Sequence, residues 1–177
     1  DFDKTIYTTI FSDTHPEVFF ISGGSCNDIE NIEETHGEII KTLLKNTQVI
    51  KIVDRDDRSP QEISDLAERG IKVLKERNLE SYVLDDAVIK KLCESVGKPE
   101  EYDECLREKS EALAASVSRG NAADDYKSAR GDISNALKKR LALTKCGNNA
   151  DTFIRDTLAP LITPDMDVYG KLEAEVF

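Results

Sequence analysis

Three aspartates, Asp54, Asp56 and Asp57, close the short apolar run Val49-Ile50-Lys51-Ile52-Val53. A β-branched run of this length reads as a buried strand, and open α/β sheets gather their ligands beyond the carboxyl ends of strands. In extended backbone, side chains two apart share a side, so Asp54 and Asp56 are expected to converge. Two carboxylates aimed at one point suit a hard divalent cation, Mg²⁺ or else Mn²⁺. The plain alternative is an acidic, solvated turn, a setting in which Asp is common.

Two further groups could join that chemistry. Ser22-Gly23-Gly24-Ser25-Cys26-Asn27 lies between an apolar run and a helical pattern, where backbone amides at a helix start can hold a phosphate. A tight turn that needs positive φ explains the same glycines. In Arg77-Asn78-Leu79-Glu80-Ser81-Tyr82, Glu80 lies between apolar positions near an expected strand end and is a candidate third carboxylate. Arg77 is a candidate phosphate contact, or a partner for Glu80 or an aspartate. The basic cluster Lys138-Lys139-Arg140 reads first as a solvated helix face with favourable charge near a helix C-terminus.

The elements that must position these residues follow from periodicity. Ile6, Ile10 and Phe11 have helical spacing, which predicts a lead-in helix within residues 1–14. Glu17 to Ser22 reads as a buried strand. Asn27 with Glu30 forms a capping-box pattern, followed by the stripe Ile29, Ile32, Ile39, Ile40, Leu43 and Leu44. With the strand at 48–53 this gives a right-handed βαβ unit with parallel strands. Ser59-Pro60-Gln61-Glu62 is a second helix start, and Gly70 ends that helix. Ile71–Leu74 and Leu79–Leu84 are expected as further strands. Charged helical stripes follow, one through Ile89, Leu92, Cys93 and Val96, another through Tyr126, Ala129, Ile133, Ala136, Leu137 and Leu141. The expectation is an α/β core over 15–84, a small parallel sheet flanked by helices, and an all-helical C-terminal region over 85–177.

At 177 residues the chain can bury a real core. Its net charge of −11 argues against unaided contact with nucleic acid phosphates, although bound cations would offset part of it. No apolar run has the length of a membrane span. The four cysteines, Cys26, Cys93, Cys105 and Cys146, form no CxxC pair, and only His15 and His36 accompany them. That is no zinc pattern, and free thiols in a reducing cytoplasm are expected. The start at Asp1 rather than Met suggests a domain of a longer protein.

The front half resembles a TOPRIM domain, the metal-binding α/β module of topoisomerases, primases and the OLD family of nucleases. The match rests on an apolar strand, a glycine turn, a helix, and a strand ending in Asp54-Arg55-Asp56. Arg77-Asn78-Leu79-Glu80-Ser81-Tyr82-Val83-Leu84 is similar to an R-x-x-E-x-Y-apolar-L signature of certain bacterial ATPase-linked proteins. The closing Leu161-Ile162 and Val168-Tyr169-Gly170-Lys171-Leu172 are similar to the ends of that group.

The resemblance implies a TOPRIM-like, Rossmann-like topology and an ATPase domain in the same polypeptide. It also implies Mg²⁺-dependent cleavage of nucleic acid, in some relatives for phage defence, and homo-oligomerisation through the full-length protein. Asp54, Asp56 and Glu80 would be catalytic metal ligands; Ser22, Gly23, Gly24 and Arg77 would steady phosphate. Where a TOPRIM domain carries a glutamate at the end of its first strand, this chain has Ser22, and Asp28, Glu30, Glu33 and Glu34 follow on the next helix. A catalytically degenerate interaction or regulatory module is therefore the rival expectation. A lesser one comes from Asp1-Phe2-Asp3-Lys4-Thr5, which is similar to the nucleophile motif of haloacid-dehalogenase-type phosphatases.

Overall fold

The computed structural model describes residues 2–25, 28–29 and 48–177. Helix α1, Phe2–Phe11, buries Ile6, Tyr7, Ile10 and Phe11, a single stripe at helical spacing. Asp3, Lys4 and Thr5 lie in its first turns. A phosphatase nucleophile must end a strand; here Phe2 to Thr5 are helical, and Asp1 lies outside the described residues.

Strands β1, Lys51–Val53, and β2, Ile71–Val73, form a two-stranded parallel sheet with Lys51 opposite Ile71 and Val53 opposite Val73. Helix α2, Pro60–Glu68, makes the crossover between them. Its start is the expected capping box. The Ser59 hydroxyl accepts from the Glu62 amide at 3.3 Å, and the Glu62 carboxylate accepts from the Ser59 amide at 2.7 Å. Gly70, at φ +70°, ends the helix in a conformation that L side chains rarely adopt. Val53, Leu66 and Ile71 bury a small cluster between sheet and helix, and Ile29 packs against it.

Two expected strands are absent from these positions. Val18 to Gly23 has no regular secondary structure; Phe20 stacks on Tyr7 at 5.3 Å while Phe19 and Ile21 are 85% and 79% exposed. The run has the alternation of an extended segment, but aromatic anchoring to α1 holds its inner side in place of a strand ladder. Residues 79–84 are helical instead: Leu79–Val83 forms α3, with Leu79, Tyr82 and Val83 buried. Those positions fall at i, i+3 and i+4, a helical period that a short apolar run conceals. The expected Asn27–Glu30 box and the stripe beyond Ile29 lie outside the described residues.

The remaining helices are α4, Asp86–Ser95, α5, Tyr102–Ser118, and α6, Tyr126–Arg140. Helix α7, Ala150–Phe153, runs on through a wide turn at Ile154–Leu158 and a tight one at Ala159–Leu161, and α8, Asp167–Val176, closes the chain. The stripe of α6 buries Ala129, Ile133 and Leu137 as expected. These helices and α1 enclose the main core, in which Phe11, Phe153, Ile154, Leu158 and Leu172 are fully buried. The chain is thus a helix-rich α/β fold with a small parallel sheet. Among the described residues no helix is long and apolar enough to cross a membrane.

Candidate functional site at the carboxyl end of the first strand

Asp54 is the first residue beyond β1, and two groups hold its carboxylate. Oδ1 accepts the Leu79 amide at 3.2 Å, and Oδ2 faces the Lys127 ammonium at 3.5 Å. Its side chain is 13% exposed. Burial pushes the pKa from 3.8 up to about 6; Lys127 opposes the rise, while Asp3, Glu80 and Asp56 add to it. Desolvation therefore outweighs the pull of Lys127.

Glu80 sits in the first turn of α3 and is 1% exposed. Its Oε1 accepts from Arg130 Nη1 at 2.5 Å. Burial raises its pKa against the opposing pull of its own amide, Arg130 and Lys127. Arg130 is fixed on two further sides, by Asp151 at 3.0 Å from Nε and by the Phe2 ring at 5.3 Å. Lys127 and Arg130 lie three residues apart on α6, so they project from neighbouring positions of one helix face. Burial works against the Lys127 charge, but Asp54, Glu80 and Asp3 together raise its pKa.

The other expected ligand behaves differently. Asp56 takes φ +47°, so the extended alternation that would aim it alongside Asp54 stops before it. Its Oδ2 lies 3.7 Å from Arg58 Nη1, and its amide donates to the Arg77 carbonyl at 2.9 Å. Arg58 also donates to the Asp54 carbonyl at 2.6 Å. Asp57 is mostly exposed and pairs with Arg77 at 2.6 Å.

Arg77 spends its guanidinium on Asp57 and on Asp124, the latter at 3.5 Å. Arg55 meets the same Asp124 at 2.5 Å and donates to the Lys75 carbonyl. The two arginines thus tie the loop after β1 to the connection between α5 and α6. In the glycine turn, the Ser25 amide and hydroxyl both donate to Asp28, at 2.8 and 2.7 Å. Gly24 has φ +95°, and a Cβ at Gly23 would come within 2.6 Å of Ile29. The turn thus needs its glycines for its own packing. Ser22 is exposed. Within Lys138-Lys139-Arg140, Lys138 donates to the carbonyls of Gly147 and Asn149, and Arg140 pairs with Glu108 at 2.6 Å.

Among the described residues the carboxylates drawn into this rim are Asp54 and Glu80, each with a cation beside it, Lys127 and Arg130. Carboxylate oxygens are the donor type that Mg²⁺ and Mn²⁺ take. Among the described residues no group of three His, Cys, Asp or Glu side chains gathers closely enough to hold a metal. Lys127, Arg130 and Asp3 were not singled out for this site by the sequence. The only signal was the i, i+3 spacing of the two cations flanking the apolar stripe of α6. Comparison of the chain with protein-family models, curated proteins and solved structures finds no match.

Proposed function

We propose that this chain carries a TOPRIM-like, Mg²⁺-dependent site for cleaving phosphodiester bonds of nucleic acid, in a bacterial protein coupled to an ATPase domain. The observation that supports this reading is Asp54, the first residue beyond β1, largely buried, with its carboxylate oriented by the Leu79 amide and faced by Lys127 at 3.5 Å. Burial raises the pKa of this carboxylate to about 6 against the pull of Lys127, and a divalent cation would favour its charged form more strongly than one lysine does. Asp54 and Glu80 would hold the ion, whose chemistry is to polarise the phosphodiester and to activate water. The Leu79 amide fixes the rotation of the Asp54 carboxylate, and Arg130 that of Glu80. Burial of both acids keeps competing water away from them.

Titration with Mg²⁺ and Mn²⁺, followed by thermal unfolding, tests the site. Stabilisation that disappears in Asp54→Asn and Glu80→Gln supports it, and no shift at millimolar ion sinks it. Cleavage assays on single- and double-stranded DNA and RNA then test the reaction.

A second reading has its own support. Ser22 stands where the family has a glutamate, Asp56 is paired with Arg58, and Phe19 with Ile21 exposes apolar surface of the kind that partners cover. Under it the chain is an interaction or regulatory module, and Phe19→Ser with Ile21→Ser abolishes partner binding while leaving unfolding by heat unchanged.

A further inference from the structure

Helices α4 and α5 form an antiparallel hairpin. Gly97, at φ +70°, and a tight turn at Pro99–Glu101 bring the chain back on itself. Val88, Ile89, Leu92 and Cys93 are the buried stripe of α4, and Cys105, Lys109, Ala112 and Ser116 that of α5. The register is set at two places. Near the start of α4, Lys109 Nζ donates to Asp86 at 2.6 Å and to the Leu84 carbonyl at 2.7 Å. One turn earlier on α5, the Cys105 sulfur meets that of Cys93 at 3.8 Å, in the last turn of α4. Both cysteines are fully buried.

Two buried sulfurs in contact are either small apolar fillers or the reduced form of a disulfide. A disulfide holds its sulfurs about 2.05 Å apart, so about 1.8 Å remains to be closed, shared between two side chains. We propose that Cys93 and Cys105 are a modification site, a dithiol–disulfide pair that staples the α4–α5 hairpin under oxidising conditions. The staple does not depend on the metal chemistry proposed above. Its closure gathers a segment of 12 residues' separation, which restricts the unfolded chain more than the folded one. It also tightens the seat of α6, whose end is fastened to the hairpin by Arg140 on Glu108 and by Lys98 on the Leu141 carbonyl.

Oxidised glutathione, a small-molecule disulfide, is a sufficient oxidant. One cysteine thiolate attacks a glutathione sulfur and releases a glutathione thiolate, leaving a mixed disulfide. The second cysteine attacks the first, forming the protein S–S bond and releasing the other glutathione thiolate. The two cysteines lose two electrons and two protons, and both pass to the two glutathiones. Burial raises the pKa of both thiols in the folded chain, so exchange starts while the hairpin is open.

The test uses the whole chain, unfolded in urea and refolded by dilution into buffers of fixed reduced-to-oxidised glutathione ratio. After equilibration the thiols are trapped in acid, and the Cys93–Cys105 link is counted by peptide mass as the loss of two hydrogens. At one ratio the link is expected to be at least about tenfold more populated in the refolded chain than in urea. The oxidised chain is expected to melt about 5 to 10 °C above the reduced one, and dithiothreitol reverses the gain. Cys105→Ala is expected to lose that gain; if it does not fold, the count on the wild type decides alone. A link no more populated after refolding than in urea overturns the proposal. So does preferential pairing with Cys26 or Cys146, or an oxidised chain that melts no higher than the reduced one.

Discussion

The Arg130 guanidinium closes on a carboxylate from which water is almost shut out: its Nη1 reaches Glu80 Oε1 at 2.5 Å, and Glu80 is 1% exposed. The pair joins α6 to α3 across 50 residues of sequence. Removing the cation strands a buried anion, which costs far more than the pair contributes over an apolar substitute. Arg130→Met is expected to destabilise the chain by about 3 kcal/mol at neutral pH. The loss shrinks in acid, where the stranded Glu80 takes up a proton. Urea unfolding at pH 7.5 and pH 5 checks both points, and an equal loss at the two values contradicts the account.

Asp54 gives a pH dependence of definite sign. Its folded pKa of about 6 exceeds the ordinary 3.8, so the folded state binds its proton more tightly than the unfolded chain does. Its contribution to stability is therefore best below pH 3.8 and declines as pH rises through about 6. Asp54→Asn keeps an oxygen for the Leu79 amide and removes the charge. The variant is expected to exceed the wild type in stability above pH 6 by up to about 3 kcal/mol, with the advantage gone near pH 4. Parallel unfolding curves across that range, with no crossing toward the wild type in acid, count against it.

The cap at Ser59 is a local test of the crossover helix. Its hydroxyl and amide exchange hydrogen bonds with Glu62. Ser59→Ala is expected to cost about 1 kcal/mol. Because α2 buries Leu66 against Val53 and Ile71, protection of the β1 amides from hydrogen exchange should fall with it.

Ser134 makes the opposite forecast. Its hydroxyl is buried in α6 and has no hydrogen-bond partner among the described residues. Ser134→Ala is expected to leave stability unchanged or raise it by about 1 kcal/mol, because an unsatisfied polar group leaves the core. A clear destabilisation would show that the hydroxyl has a partner in solution.

Cys93 and Cys105 bring their sulfurs to 3.8 Å between α4 and α5, both fully buried. Burial pushes the Cys105 thiol up to about 12, with Cys93 adding to the rise. The reactive thiolate is thus suppressed. Peptide mapping after iodoacetamide treatment at pH 8 should find both residues unmodified in the folded chain and alkylated in urea.

Much of the framework was legible because single residues carried it. Ser59, Pro60, Glu62 and Gly70 mark both ends of α2, and Ala129, Ile133 and Leu137 announce the buried face of α6. The runs at 17–22 and 79–84 misled because a few consecutive apolar residues suit either period. At 79–84 the core took the helical face, and at 17–22 it took one aromatic anchor. Asp54 and Glu80 could be picked out from their places beside apolar segments. The cations that answer them could not. Lys127 and Arg130 lie 73 and 50 residues from their partners, and on a charged helix nothing local separates a buried guanidinium from a solvated one. Asp56 looked equivalent to Asp54, until one left-handed residue turned the chain.

Mounting Lys127 and Arg130 a single turn apart on one stiff rod makes two local contacts a mechanical joint. A tilt of Tyr126–Arg140 would loosen both acids together, because the partner of each rides on that one helix.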